Sequence, residues 1–77
     1  MNLKEELQEI REESYQKFLK TQEFERLKNS VYSFARSGQK EKTFSLSGKN
    51  TGHFERWLKE NGVTVVESEK YSVTIRL

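Results

Sequence analysis

Apolar residues in the first 37 positions are widely spaced among charged and polar ones, and this segment contains no glycine. The chain as a whole has no proline. Asn2 with Glu5 three residues later is typical of a helix start, and Ser37-Gly38 is typical of a helix end. Two apolar stripes with helical spacing lie between these signals, formed by Leu3, Leu7 and Ile10 and by Phe24, Leu27, Val31 and Phe34. The pattern therefore predicts helix from Asn2 to Ser37.

The two stripes do not share a face, because at about 100° per residue the second is rotated by about a quarter turn or more. One interpretation is a single supercoiled helix with a seam of Leu3, Leu7, Ile10, Phe24, Val31 and Ala35, interrupted by Ser14, Lys17, Thr21 and Lys28. The other is a break near Lys20-Thr21, where Thr21 caps a second helix that folds back as a hairpin. We favour one long helix, straight or kinked, because no Gly, Asn or Pro marks a tight turn there.

Alternation of polar and apolar residues predicts strands in the second half of the chain. The predicted strands are residues 43–47, 63–66 and 71–77. Between the first two, Phe54, Trp57 and Leu58 form the apolar face of a short helix that starts at Asn50 or Thr51 and ends at Gly62. Polar loops at residues 39–42, 48–50 and 67–70 connect these elements.

The predicted fold class is α+β, with the long N-terminal helix packed on a β-α-β-β unit that carries a three-stranded mixed sheet. Residues 1–77 form a single domain, with a helical lead at 1–37 and the module at 43–77. The strand–helix–strand passage should leave its two strands parallel, with the last strand between them and antiparallel to both. The predicted core packs Phe44, Leu46, Val63, Val65, Val73 and Ile75 against Phe54, Trp57 and Leu58.

Composition limits the function of the chain. Of its 77 residues, 32% are hydrophobic and 34% are charged, so the core is small, and small folds of this kind often gain stability by oligomerising. With no cysteine and one histidine, the chain offers no disulfide and a poor zinc site, and we predict no cofactor. Because it lacks a membrane-length apolar run and an apolar leader, we expect a cytoplasmic protein with no membrane contact.

The length of the predicted helix points to a partner. A straight 35-residue helix is about 50 Å long, whereas a compact 40-residue unit has a radius of gyration of about 9 Å. The helix would overhang its module and leave Leu3, Leu7 and Ile10 uncovered. Our first hypothesis is therefore a non-enzymatic interaction protein that binds a protein partner or forms a homo-oligomer through these three residues.

The alternative hypothesis is nucleic-acid binding through segment 36–59. Residues 28–62 carry seven Lys or Arg against three Glu. The basic side chains could contact the phosphates of a nucleic acid, and an exposed Trp57 could stack on a base. Trp57 equally fits the apolar face of the short helix, where it would be part of the core. The proposed contacts are Arg36, Lys40, Lys42, Lys49 and Trp57.

No sequence pattern predicts catalysis. The loop at residues 48–52 lacks the spacing of a phosphate-binding loop and is better explained as a loop with a helix cap. His53, near Ser47 and Glu55, has no third group in the sequence that would complete a nucleophile–base arrangement. We predict no catalytic residues, no metal site and no small-molecule substrate.

Three segments, Phe44-Ser45-Leu46, residues 54–63 and residues 71–75, give a layout that resembles small uncharacterised phage and prophage proteins. Those proteins combine a charged N-terminal helix, a strand, a short helix ending in Asn-Gly or Leu-Gly, and a closing hairpin. The resemblance implies a virus-encoded accessory protein that acts in the host cytoplasm by binding a host protein.

Overall fold

The computed structural model describes residues 2–77 as one elongated body with principal extents of 48 × 23 × 21 Å. A three-stranded sheet and three helices make an α+β fold. In chain order the elements are α1 (Leu3–Phe18), α2 (Gln22–Arg36), β1 (Glu41–Ser45), α3 (Thr51–Glu60), β2 (Thr64–Ser68) and β3 (Ser72–Arg76).

The helical lead is two helices, and the single long helix that we favoured is wrong. Thr21 has extended backbone angles (φ −84°, ψ 158°), and its Oγ1 accepts a hydrogen bond from the Phe24 amide at 3.1 Å. The same hydroxyl donates to the Phe18 carbonyl at 2.7 Å. One threonine thus satisfies polar groups at the end of α1 and at the start of α2, so the chain breaks without a glycine or proline.

The sheet has the predicted strand order, β1-β3-β2, but it is antiparallel throughout instead of mixed. Because β3 lies between the other two strands, β1 and β2 never pair with each other, and both hydrogen-bonded pairs are antiparallel. The register shifts between Val65 and Glu67, which makes a bulge at Val66 and leaves Val66 43% exposed.

Strand boundaries differ from the prediction by up to two residues. β1 starts at Glu41, because Glu41 pairs with Arg76 in the ladder and the two side chains form an ion pair of 2.9 Å. β2 continues to Ser68, because Ser68 pairs with Val73 beyond the bulge. Both extensions lie in polar segments that alternation alone assigned to loops.

The core lies between one face of the sheet and the helices. Val73 and Ile75 are fully buried from β3, as are Phe54 and Leu58 from α3. The predicted core is confirmed, with Val63, Val65 and Trp57 partly buried at its margin. The helical lead completes it with Phe18, Phe24, Leu27 and Phe34, of which Phe34 meets the Phe44 ring edge-on at 6.2 Å.

Replacing Thr21 with alanine distinguishes two helices from one. We expect Thr21→Ala to lower the free energy of unfolding by about 1 kcal/mol, because the α2 cap and the bond to Phe18 are lost. In a continuous helix the same change would raise stability by a few tenths of a kcal/mol, because alanine is the better helix former. Chemical denaturation monitored by circular dichroism measures the difference.

Ser33→Ala is the matched control for this measurement. Ser33 is exposed within α2, so alanine there should be neutral or slightly stabilising. Equal effects of the two substitutions would contradict the capping role of Thr21.

Candidate association surface on the first helix

The three residues predicted to bind a partner lie on one exposed stripe of α1. Leu3, Leu7 and Ile10 are 69%, 55% and 52% exposed. Every residue from 2 to 14 is exposed, and the only side chain in this range with an ion pair to another element is Glu12, which pairs with Arg56. We call the stripe formed by Leu3, Leu7, Ile10 and the next residue at this spacing, Ser14, the α1 seam.

Local interactions start this helix without tertiary support. The Asn2 side chain accepts a hydrogen bond from the Glu5 amide at 2.9 Å, which satisfies one free donor of the first turn. Glu5 and Glu6 place negative charge near the positive end of the helix dipole. A helix of three exposed turns is only marginal on its own, so its order depends on the end that is packed.

The packed end begins at Tyr15. Tyr15 is 3% exposed, and Phe18 is equally well buried one turn later. The Phe18 ring meets the Phe24 ring at 5.2 Å and stacks against the His53 imidazole at 5.8 Å. These contacts hold the last turn of α1 against α2 and α3, so α1 is anchored at one end and free at the other.

A polar network around Arg56 strengthens the contact between α1 and α3. The Arg56 guanidinium lies 3.9 Å from the centre of the Tyr15 ring, which is cation–π geometry. Its Nη2 donates to Glu12 at 2.7 Å and its Nε donates to Glu60 at 3.1 Å. The Tyr15 hydroxyl donates to Glu60 at 3.0 Å. Two residues from each helix therefore share one network, which fixes how α1 sits on α3.

The network changes how its members titrate. Burial, with a smaller contribution from the hydrogen bond to Glu60, raises the pKa of the Tyr15 phenol to about 12. The hydrogen bond from Arg56 lowers the pKa of the Glu12 carboxyl. Both shifts favour the protonation states that the observed bonds require at neutral pH.

His53 is a packing residue with basic neighbours. Its ring lies 5.9 Å from the Tyr15 ring, and burial, followed by the charges of Arg56 and Arg11, lowers the pKa of its imidazole. Lys49 and the start of α3 line the same cleft between α1 and α3. Among residues 2–77, His53 has no side-chain hydrogen bond to a hydroxyl or a carboxylate.

The residues of the nucleic-acid alternative occupy different parts of the fold. Arg36 is the last residue of α2, Lys40 immediately precedes β1, Lys42 lies within β1, and Lys49 lies in the loop before α3. Trp57 is partly buried: its ring meets Phe24 edge-on at 5.0 Å and lies nearly parallel to Phe54 at 6.1 Å. The Trp57 ring thus packs at the margin of the core, as its position on the apolar face of the short helix predicted.

The sequence pattern predicts the exposed stripe but not the contacts of Tyr15 and Arg56 that anchor α1 on α3. Tyr15 belongs to neither apolar stripe, and no pattern in the sequence distinguishes Arg56 from the other basic residues of segment 36–59. The usable signal was the spacing of Tyr15 and Phe18, which places two aromatic rings one turn apart immediately before the break.

Within residues 2–77, no group of three or more His, Cys, Asp or Glu side chains could hold a metal ion. None of the helices in this range has both the length and the apolar character that crossing a bilayer requires. The chain matches no family model, and it matches neither a curated protein nor a solved structure. Its function must therefore be argued from its own geometry.

Tyr15→Phe tests the anchor while keeping the aromatic ring. We expect it to lower the free energy of unfolding by about 0.5–1.5 kcal/mol, because the hydrogen bond to Glu60 is lost. Since the folded pKa of Tyr15 lies above the usual value of 10, its contribution is present below about pH 10 and is lost as the pH rises towards 12. Denaturation at neutral pH and absorbance titration of phenolate measure the two effects.

Tyr32→Phe is the control, because Tyr32 is about half exposed on α2. Tyr32→Phe should leave the free energy of unfolding unchanged and retain the Tyr15 phenol, which titrates near pH 12. Loss of that late titration in Tyr32→Phe, or its persistence in Tyr15→Phe, would contradict the assignment.

His53→Gln tests the environment of the histidine. Because the folded pKa of His53 lies below its usual value of 6.5, the unfolded chain binds the proton more tightly, and stability should fall as the pH drops through 6.5. We expect the slope to be below about 1.4 kcal/mol per pH unit. Denaturation at several pH values between about 6 and about 7.5 should show this slope in the native chain and a flatter one in His53→Gln. Equal slopes would contradict this account.

Proposed function

We propose that this chain is a non-enzymatic interaction protein whose first three helical turns bind another protein molecule. The Leu3, Leu7 and Ile10 side chains provide the apolar contacts. The compact part of the chain holds α1 in place through Tyr15, Phe18 and Arg56 and leaves its other end free.

One observation carries this proposal: an apolar stripe lies on the first turns of α1, where Leu3, Leu7 and Ile10 are each more than half exposed. Full burial of a leucine or isoleucine side chain contributes about 1.5–3 kcal/mol. Because Leu3, Leu7 and Ile10 are each more than half exposed, burying them against a partner gains a substantial part of this energy for each residue. Ordering the segment in advance also reduces the entropy lost on binding.

The remaining surface supports a binding role better than a catalytic one. The ion pairs and hydrogen bonds around Arg56 join neighbouring helices instead of lining an apolar cavity. The single histidine packs on aromatic rings, and its lowered pKa follows mainly from that burial. Neither group has the nucleophile–base geometry that acyl or phosphoryl transfer uses.

A photoreactive amino acid at position 7 tests this function in cells. We expect discrete covalent adducts from position 7, because Leu7 lies at the centre of the α1 seam. A second change, Ile10→Glu, should reduce the adduct yield at least tenfold, since burying an unpaired charge at the interface opposes binding. Both changes lie on an exposed helix surface, so the free energy of unfolding should change by no more than about 0.5 kcal/mol.

Position 5 provides the matched control, because Glu5 lies on α1 opposite the seam. Adducts from position 5 should be weak and insensitive to Ile10→Glu. Equal labelling from both positions, or no adduct from position 7, would contradict the proposed surface.

A further inference from the structure

We propose that the molecule covering the α1 seam is a second copy of this chain, whose α1 lies parallel to the first. This inference rests on the proposed function and names its partner. It is carried by the charges that flank the seam and by the way these charges meet in the two possible orientations.

The spacing of the seam is that of a two-stranded coiled coil. Leu3, Leu7, Ile10 and Ser14 are separated by four, three and four residues, which is the alternation of the two core positions of a heptad. All four residues lie in α1 and are exposed. The α1 seam can therefore meet an identical seam without repacking the monomer.

The two flanks of the seam carry opposite charges. At about 100° per residue, Glu6 and Glu13 lie on one side of the stripe, and Lys4 and Arg11 lie on the other. Within residues 2–77 none of these four side chains forms an ion pair. Arg11 instead lines a cleft with Lys49 and Arg56, where it has cationic neighbours.

Orientation decides which flanks meet. A two-fold axis along the helices brings the acidic flank of one copy onto the basic flank of the other. In that parallel arrangement Glu6 faces Arg11 of the second copy, five residues further on, which is the usual spacing for flanking ion pairs. The two-fold axis repeats this Glu6–Arg11 pair, so the parallel dimer has two of them.

The antiparallel arrangement brings like charges together. A two-fold axis perpendicular to the helices places each flank against the same flank of the other copy. Glu6 would then approach Glu13 of the second copy, and Lys4 would approach its Arg11. Like charges across an interface oppose association, so the charge pattern selects the parallel pair.

The exposed Leu3, Leu7 and Ile10 lie before the packed end of α1, and Ser14 at the end of the seam lines an open cleft with Lys49 and His53. Tyr15, which docks α1 on α3, lies about a quarter turn or more from the centre of the seam. The compact parts of the two copies therefore stand on opposite sides of the helix pair. With residues 3–14 the contact is about 18 Å long, well short of a standard interface, so we expect a weak dimer with Kd between about 10 µM and about 1 mM.

Sedimentation equilibrium across that concentration range measures the dimer. We expect Leu7→Glu to raise Kd at least tenfold and Arg11→Glu to raise it about three- to tenfold, because two symmetric pairs become repulsive. Combining Glu6→Lys with Arg11→Glu should restore Kd to within about threefold, since the reversed pairs attract again. Circular dichroism verifies that each variant is folded.

Cysteine crosslinking measures orientation, because the chain has no cysteine of its own. In the parallel pair the two Ser14 residues face each other at the seam, so Ser14→Cys should form an interchain disulfide under mild oxidation. In the antiparallel pair each Ser14 lies level with Leu3 of the other copy, too far from its counterpart to react. Glu5→Cys, opposite the seam, is the control and should remain reduced.

Each outcome has a definite meaning. A monomer at every concentration, a Kd that Leu7→Glu does not change, or a dimer in which Ser14→Cys does not crosslink overturns the parallel dimer. A monomer that still gives position 7 adducts in cells overturns only the second copy as partner and retains the association surface. Loss of those adducts as well would overturn both proposals.

Discussion

The guanidinium of Arg56 lies over the buried Tyr15 ring, and this contact determines where α1 leaves the compact part of the protein. Glu12 and Glu60 hold the guanidinium in place, and the Tyr15 hydroxyl closes the network. Among residues 2–14 the apolar side chains are exposed, whereas Tyr15 and Phe18 are buried. Exposed ion pairs add little stability one at a time, but here they orient a helix whose aromatic end is already buried.

The break at Thr21 is the second condition for this arrangement. A continuous helix would carry the stripe of α1 and the stripe of α2 on faces that differ by about a quarter turn, and it could not bury both Phe18 and Phe34. Ending α1 at Phe18 frees α2 to cover the sheet, where Phe34 meets Phe44. The first turns of α1 are therefore free because α2, and not α1, covers the sheet.

Most of the compact fold was predictable from the sequence, because alternation and glycine caps act locally. The β-α-β-β unit, its strand order and the φ of +76° at Gly62 follow from such signals. The sequence favours one long helix over a break, because a hydroxyl that serves both helices leaves no glycine or proline at the junction. The Arg56 network was not predictable, since it joins residues more than 40 positions apart. The exposure of Leu3, Leu7 and Ile10 was predicted from the overhang of a single long helix. That helix is broken at Thr21, so the exposure has another cause: α1 is held by the end that carries Glu12, Tyr15 and Phe18.

Amide hydrogen exchange at two protein concentrations tests the central claim most directly, because it observes the first turns of α1 in the unmodified chain. The account predicts that amides of residues 7–13 exchange rapidly at about 10 µM and become several-fold more protected near about 1 mM, where the dimer forms. Amides of α3 should be unaffected and serve as the internal reference. Equal protection of residues 7–13 at both concentrations would contradict the account.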